Sequence, residues 1–418
     1  MLAWRWVKRH AAIPALAFAI FVVAYGRTDL FADKEKGTFE LVDMQGDRSA
    51  IEDVVFGGDL GDKVHHTTFA VDGGKVGTHT VLETAPSVDI NRRIPGFGEQ
   101  IGEWRYEVHG APPFEINRYN GTAGGTVTVH PNITEHGGSA NSHSYMNSLE
   151  YGIANIGERV FFVVPTTKDY TGKSAIYELD YASANKENNY RGEARELVPI
   201  SLERNEQADE PNTGIQVFGL EAVGDTLVLL LEEDGKLVFR GYDSLSGEPI
   251  GEVVGEGLPA KALMNDAYRA FVDEDENVLN VRFDAKPAPI VYSIGKTDEG
   301  LKLLARTELD QVAGMEDRDY YNPSIMAVSF RNGKLYVAKT VTEIDEASGY
   351  TYRLEWPRHL FLEAYREGSL LYRGELRTDV NDDSIRMLSP IQRDIGYSID
   401  DNRQFGSLRI ENPDGKGL

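Results

Sequence analysis

Downstream of residue 37 the chain holds no long stretch of helical hydrophobic period. Apolar residues come in short runs interrupted at close intervals by Gly, Asn and Asp, the pattern of strands joined by tight turns. Four segments can be laid over one another. Residues 149–203 read LEYGIANIGERVFFVV and then SAIYELDY, and residues 213–256 read IQVFGLEAVGDTLVLLL and then KLVFRGYDSLSGEPIGEV. Residues 266–310 give YRAFVDEDENVLNVRF before PIVYSIGKTDEGLKLLARTEL, and residues 324–378 give SIMAVSFRNGKLYVAK before HLFLEAYREGSLLYRGEL. Each predicts a strand, a tight turn, a buried strand, a variable loop, a third strand, a turn and an outer strand. The first turns fall at Gly157, Gly224, Asn277 and Gly333, spaced by 67, 53 and 56 residues. That period fits one four-stranded antiparallel unit with its loops.

Residues 50–146 add strand candidates at 51–56, 64–71, 75–82, 104–108 and 126–129, enough for two less regular units, and the tail adds 396–399 and 405–410. The stretch from Phe39 to Asp43 is expected to be the fourth strand of that tail unit, closing a ring and removing its open edges. The stretch Tyr242-Asp243-Ser244-Leu245-Ser246-Gly247-Glu248 is similar to the Asp-x-x-Thr-Gly turn of quinoprotein-like blades. On these repeats the chain resembles β-propeller proteins in general. The resemblance implies an all-β fold, a single propeller of about seven four-stranded blades with six and eight as alternatives, over residues 38–418. A β-sandwich array is the other architecture compatible with the pattern. Tryptophan stands only at 4, 6, 104 and 356, so the Trp that follows this turn in the quinone-dependent dehydrogenases is missing and their chemistry does not carry over.

The N-terminus is of another kind. Arg5, Lys8, Arg9 and His10 precede an uncharged run, AAIPALAFAIFVVAY, from Ala11 to Tyr25. As a helix it rises about 22 Å, short of the roughly 30 Å hydrocarbon core, but Trp4, Trp6 and Tyr25 can extend it into the interfaces. Residues 1–37 are therefore expected to be a hydrophobic helix with a short linker. It serves as a membrane anchor through residues 11–25 or, alternatively, as a signal cleaved near Ala24-Tyr25-Gly26. Either way the positive end stays inside and the remainder is extracytoplasmic.

Charge and composition narrow the chemistry. With 67 acidic against 43 basic side chains and a net charge of −24, the body repels phosphate backbones, which argues against nucleic-acid partners. The absence of cysteine excludes disulfides, thiolate metal sites and cysteine nucleophiles. Gly96, Gly98 and Gly102 are spaced one residue too long for a dinucleotide fingerprint. The stretch Asp273-Glu274-Asp275-Glu276-Asn277 begins like a calcium loop. Val278 stands where the loop needs Gly and Asp284 where it needs Glu, so it reads as a polar hairpin turn. His130, His136 and His143 share one polar loop and are the candidate ligands for a divalent metal, with Glu135 beside them. Their spacing is not that of a helix or strand metal site, and no cofactor is expected.

The long connections, 165–174, 204–213, 257–265, 311–323 and 342–356, are all expected to leave the units at one end and to gather there as a binding face. Two of them bring Asp317, Asp319, Tyr320 and Tyr321, and Glu343, Asp345, Tyr350, Tyr352 and Trp356. Mixed aromatic and acidic side chains suit sugars, peptides or cationic ligands, and the expected partner is a protein, a peptide or an envelope glycan. The expected function is an exported, membrane-tethered binding, sensor or accessory module. The alternative is an extracytoplasmic hydrolase or lyase using carboxylates at the channel mouth; no catalytic residue can be named. Protease added to intact spheroplasts should degrade residues 38–418. Replacing Ala19 and Val22 by Arg should abolish that access, because each charge at mid-span costs about 2.5–3.5 kcal/mol of insertion free energy. Full protection of the unsubstituted chain would contradict the topology.

Overall fold

The computed structural model of the chain describes residues 39–61, 65–82, 99–109, 112–120, 123–136, 149–181, 191–203, 215–256, 268–284, 288–313, 315–316, 326–343, 358–378 and 404–413. The apolar N-terminal run lies outside them. The described residues form six antiparallel sheets and two short 3-10 turns, Arg48–Ile51 and Leu149–Gly152. Sheet I consists of Gln404–Glu411, Val55–Gly61, His65–Asp72 and Lys75–Leu82, in spatial order. Sheet II is Glu99–Ile101, Trp104–His109, Phe114–Asn120 and Ala123–Val129. Sheet III is Ile153–Ile156, Arg159–Phe162, Tyr170–Asp180 and Glu193–Ser201, with Asn132–Glu135 paired to the start of its third strand. Sheet IV is Gln216–Val223, Thr226–Glu233, Lys236–Asp243 and Pro249–Gly255; sheet V is Arg269–Asp273, Val278–Phe283, Ile290–Thr297 and Gly300–Glu308. Sheet VI is Met326–Arg331, Lys334–Glu343, Arg358–Arg366 and Ser369–Thr378, with Met315–Glu316 and Phe39–Gly46 added at its two sides.

Sheets III to VI are the four sequence repeats. Their first hairpins turn where the residues at the turn tolerate a left-handed backbone: φ is 59° at Gly157, 58° at Gly224, 53° at Asn277 and 70° at Gly333. The Asp243 turn also has a local cause. The Asp243 carboxylate accepts bonds from the Ser246 amide (2.8 Å), the Ser246 hydroxyl (2.8 Å) and the Leu245 amide (3.1 Å). These bonds, Ser246 foremost, hold its carboxyl below the usual range.

The second strands explain why the sheets stack. Thr226–Glu233 is buried from Thr226 to Glu232. Its alternate side chains enter two different cores: Leu227, Leu229 and Leu231 pack with sheets II and III, and Val228 and Leu230 pack with Leu279, Val281 and Phe283 of sheet V. Sheet VI repeats this, sending Leu335 and Val337 toward Phe271 and Val291 of sheet V, and Tyr336 and Ala338 toward Phe56 and Phe69 of sheet I. A strand buried on both faces reads as a continuous apolar run, as LVLLL does. The first strands of sheets III, IV, V, VI and I neighbour one another in that order, and outer strands meet at Pro249–Gly255 with Gly300–Glu308 and at Phe39–Gly46 with Lys75–Leu82. The arrangement is a propeller-like fan.

The termini depart from expectation. Phe39–Gly46 does not pair with the tail but extends the outer edge of sheet VI along Ser369–Thr378. The tail strand Gln404–Glu411 joins Val55–Gly61 as the first strand of sheet I. The physical reason is burial. Phe405, Leu408 and Ile410 enter the core between sheets VI and I, whereas Leu41 is the one fully buried apolar residue of Phe39–Gly46. Seven blades were expected against six sheets among the described residues. Residues 396–399 lie outside those residues. In the irregular half, Phe114–Asn120 is a strand that the hydrophobic pattern missed, and residues 51–54 belong to a turn. Deleting residues 404–413 should lower stability by about 1.5–3 kcal/mol for each of the three apolar side chains removed from the core and should leave an open edge on Val55–Gly61. Urea unfolding should show a smaller loss for deletion of residues 39–46; equal losses would refute the assignment of the closing strand.

Candidate functional site

Among the described residues a cleft of about 420 Å³ opens where the first strands of sheets V, VI and I meet. Phe271, Val272 and Asp273 come from sheet V, followed by Glu274 and Asp275 of its turn. Val328, Ser329 and Arg331 come from sheet VI, and Leu408, Arg409 and Ile410 from sheet I. Strand alternation buries Phe271 at 7% exposure and leaves Val272 at 42%. The cleft lies at the tight-turn end of these strands. Glu343 closes the opposite end of the second strand of sheet VI, where its backbone pairs with Met315.

A buried ion pair spans the cleft between sheets V and VI. Arg331 Nε donates to Asp273 Oδ2 at 2.9 Å and Nη2 to Asp273 Oδ1 at 2.9 Å, a two-pronged grip. Ser329 Oγ donates to Asp273 Oδ2 at 2.5 Å and accepts from Arg331 Nε at 2.7 Å. The Glu276 amide adds a bond to Asp273 Oδ1 at 3.3 Å. Both charged side chains are about 5% exposed or less. Arg331 Nη1 is buried with no hydrogen-bond partner. At the rim, Asp275 is three-quarters exposed and its nearest basic nitrogen is Arg331 Nη2 at 3.9 Å. Arg409 turns to Glu411, Nε to Oε1 at 2.9 Å.

A second buried network, in sheet VI, shows what a fully satisfied cluster looks like. Glu363 accepts from Arg373 Nε at 2.6 Å, Tyr365 OH at 2.8 Å and Lys339 Nζ at 3.0 Å. Lys339 and Arg373 also donate to the Asp310 carbonyl at 3.1 and 3.2 Å. Burial and then the Glu363 charge push the Tyr365 phenol up. No donor of Lys339 or acceptor of Glu363 is orphaned there, so this network locks strands, while the Asp273 cluster keeps one Arg331 nitrogen buried and unpaired.

The structure brings few of the sequence-derived candidates together. Asp317, Asp319, Tyr320, Tyr321, Asp345, Tyr350, Tyr352 and Trp356 lie outside the described residues, as does the side chain of Glu343. His130 and His136 are exposed at either end of Asn132–Glu135, and His143 lies outside the described residues. His136 Nε2 meets Thr171 Oγ1 at 2.5 Å. No group of three metal-ligating side chains converges among the described residues. Asp273, Glu274 and Asp275 are the hairpin turn expected from sequence, pairing Asp273 with Val278. Their meeting with Ser329 and Arg331, 56 or more residues away, had no sequence signal beyond the common repeat.

No family model matches the chain, and no curated protein does. Solved structures give weak likenesses. A protein from Lactobacillus plantarum is 11% identical with a TM-score of 0.31, covering 79% of this chain and 97% of that one. A europium-containing methanol dehydrogenase is 11% identical with a TM-score of 0.29, covering 71% of each. TolB from Acinetobacter baumannii is 12% identical with a TM-score of 0.27, covering 78% and 80%. Scores this low assign no activity, and the fan arrangement stands on strand register and core membership alone.

Arg331→Met should destabilise the protein by about 3–5 kcal/mol, because it leaves the Asp273 carboxylate buried without its counter-charge. Denaturant unfolding checks this against Arg409→Met at the rim. Losses of the same size would show that the Asp273–Arg331 pair does not tie sheet V to sheet VI.

Proposed function

We propose that this chain is an extracytoplasmic module, a single closed β-propeller tethered to the membrane through residues 11–25, that binds a ligand and does not transform it. The charge order at the N-terminus supports export and tethering, and the two-faced burial of the second strands supports a ring. The observation that carries the binding reading is the cleft between sheets V, VI and I, with the Asp273–Arg331 ion pair buried in its wall. A preformed concave site with a few fixed polar groups is one requirement of a ligand site. The long-loop face, with Tyr350, Tyr352 and Trp356, belongs to the same proposal as a second surface.

Hydrolase or lyase chemistry at the cleft would need a carboxyl free to act as the acid. The buried carboxylate in its wall, Asp273, is taken up by Arg331 and Ser329. This favours binding over catalysis.

Thermal melts of the full chain in bilayer discs, against short peptides and neutral oligosaccharides, test the reading. A bound class should raise stability by about 2.7 kcal/mol at a hundredfold excess over its Kd. The ligand should be recovered unchanged, and Val272→Trp at the rim should cancel the rise. Conversion of the ligand, or no rise with any class, would overturn the proposal.

A further inference from the structure

We infer that the fan stands on the membrane with its tight-turn end, and with it the cleft, turned away from the bilayer, so that the cleft takes its ligand from the extracytoplasmic solution; this rests on the reading of the chain as a tethered module. The direction of one strand carries the inference. Phe39–Gly46 runs antiparallel to Ser369–Thr378, with Phe39 opposite Thr378 and Gly46 opposite Tyr372. Ser369 follows the tight turn at Gly368, so Thr378 and Phe39 lie at the end away from the cleft. The chain arriving from residues 11–25 therefore enters the fan at that end. The outer strands of sheets IV and V finish at the same end, at Gly255 and Glu308, and hand on to the long connections there.

The point of entry is fixed to the body of the fan. The Phe39 ring stacks on Phe69 of sheet I, with centroids 6.0 Å apart. Leu41 is buried, and its carbonyl accepts from Arg48 Nη2 at 2.9 Å. Asp43 accepts from Arg48 Nε and from Tyr372 OH, each at 2.7 Å. Contacts to both sheet VI and sheet I hold the strand along its length, so the direction in which the chain leaves Phe39 is set by the fan.

Lengths decide between the two orientations. Residues 26–38 span at most about 45 Å. Turning the tight-turn end to the bilayer would make them double back beside Phe39–Gly46, about 27 Å of strand. That takes more than half of their reach before any of it crosses to the membrane. With the entry end toward the bilayer none is taken. In this orientation a ligand held in the bilayer lies about 30 Å or more from the cleft, the length of a strand such as Gly300–Glu308, whereas a dissolved ligand meets the cleft directly.

The chain has no cysteine, so a single introduced one takes a fluorescent donor at one place only. Energy transfer to acceptor-labelled lipid headgroups, measured on the full chain in bilayer discs, tests the inference. The variants are Glu256→Cys and Glu308→Cys at the entry end, and Asp298→Cys and Ser369→Cys at the tight-turn end, all at exposed positions. Transfer should be at least about twofold greater from the first pair than from the second, because the strand between Asp298 and Glu308 is about 30 Å long. Val272→Cys at the cleft rim should react with a soluble maleimide-bearing polymer as fast in discs as in detergent. Melting temperatures identify the folded variants, and two positions at each end keep the comparison intact if one fails to fold. Equal transfer from both ends, greater transfer from the tight-turn end, or shielding of Val272→Cys in discs would overturn the orientation and leave the tether standing. A chain that melts normally but separates from the discs would overturn the tether, and the orientation with it.

Discussion

The structure depends on the second strand of each repeat having no solvent face. In an antiparallel sheet exposed on one side, alternate residues are polar. In Thr226–Glu233, Val278–Phe283 and residues 334–341 both sets of alternate residues are covered. A sheet with two such faces needs two neighbours, so each sheet from IV to VI acts as the wall between two cores. The stack must continue on both sides, and this constraint draws the C-terminal strand back to sheet I. Phe405 packs edge-on against Phe69, with ring centroids 6.2 Å apart, and a terminal strand lacking those apolar side chains would have nothing to hold it there.

Close stacking fixes where polar groups can sit. Sheets III, IV and V approach so nearly at Gly219 that a Cβ there would stand 2.3 Å from the Tyr268 hydroxyl and 2.4 Å from the Tyr151 carbonyl. At that seam Tyr268 donates to Glu221 at 2.6 Å. Other seams are closed in the same manner. Lys334 and Tyr336 reach Asp53 at 2.7 and 2.6 Å, Arg159 reaches the Ser244 carbonyl at 2.8 Å, and Lys168 reaches Glu232 at 2.5 Å. A dry interface between sheets strengthens such bonds and raises the cost of leaving one unmade, so they select one register between neighbouring sheets. Against this background the unpaired nitrogen of Arg331 stands out as chemistry that sheet packing does not use.

The sequence by itself determined that sheets III to VI exist and where their first turns fall, because these are local, while the third strand of sheet III begins inside a stretch that reads as a connection. A positive φ at Gly157, Gly224, Asn277 and Gly333 needs residues that tolerate it, and a doubly buried strand needs a run such as LVLLL. It also determined the acidic balance and the polar hairpin at Asp273–Asn277. Sheet II was only half legible, since FEINRYN alternates weakly and Arg118 spends its charge on the rings of Trp104 and Tyr181, 4.3 and 4.2 Å away, where pattern reading sees an exposed basic residue. Tertiary structure alone decided which terminal strand closes sheet I, because edge strands have no partner written into their own pattern; the choice falls to the core that Phe405, Leu408 and Ile410 can enter. It alone also decided the site. Asp273, Arg331 and Arg409 are far apart in the chain and become neighbours because three first strands converge at one end of the fan, a geometry set by stacking and carried by no single segment.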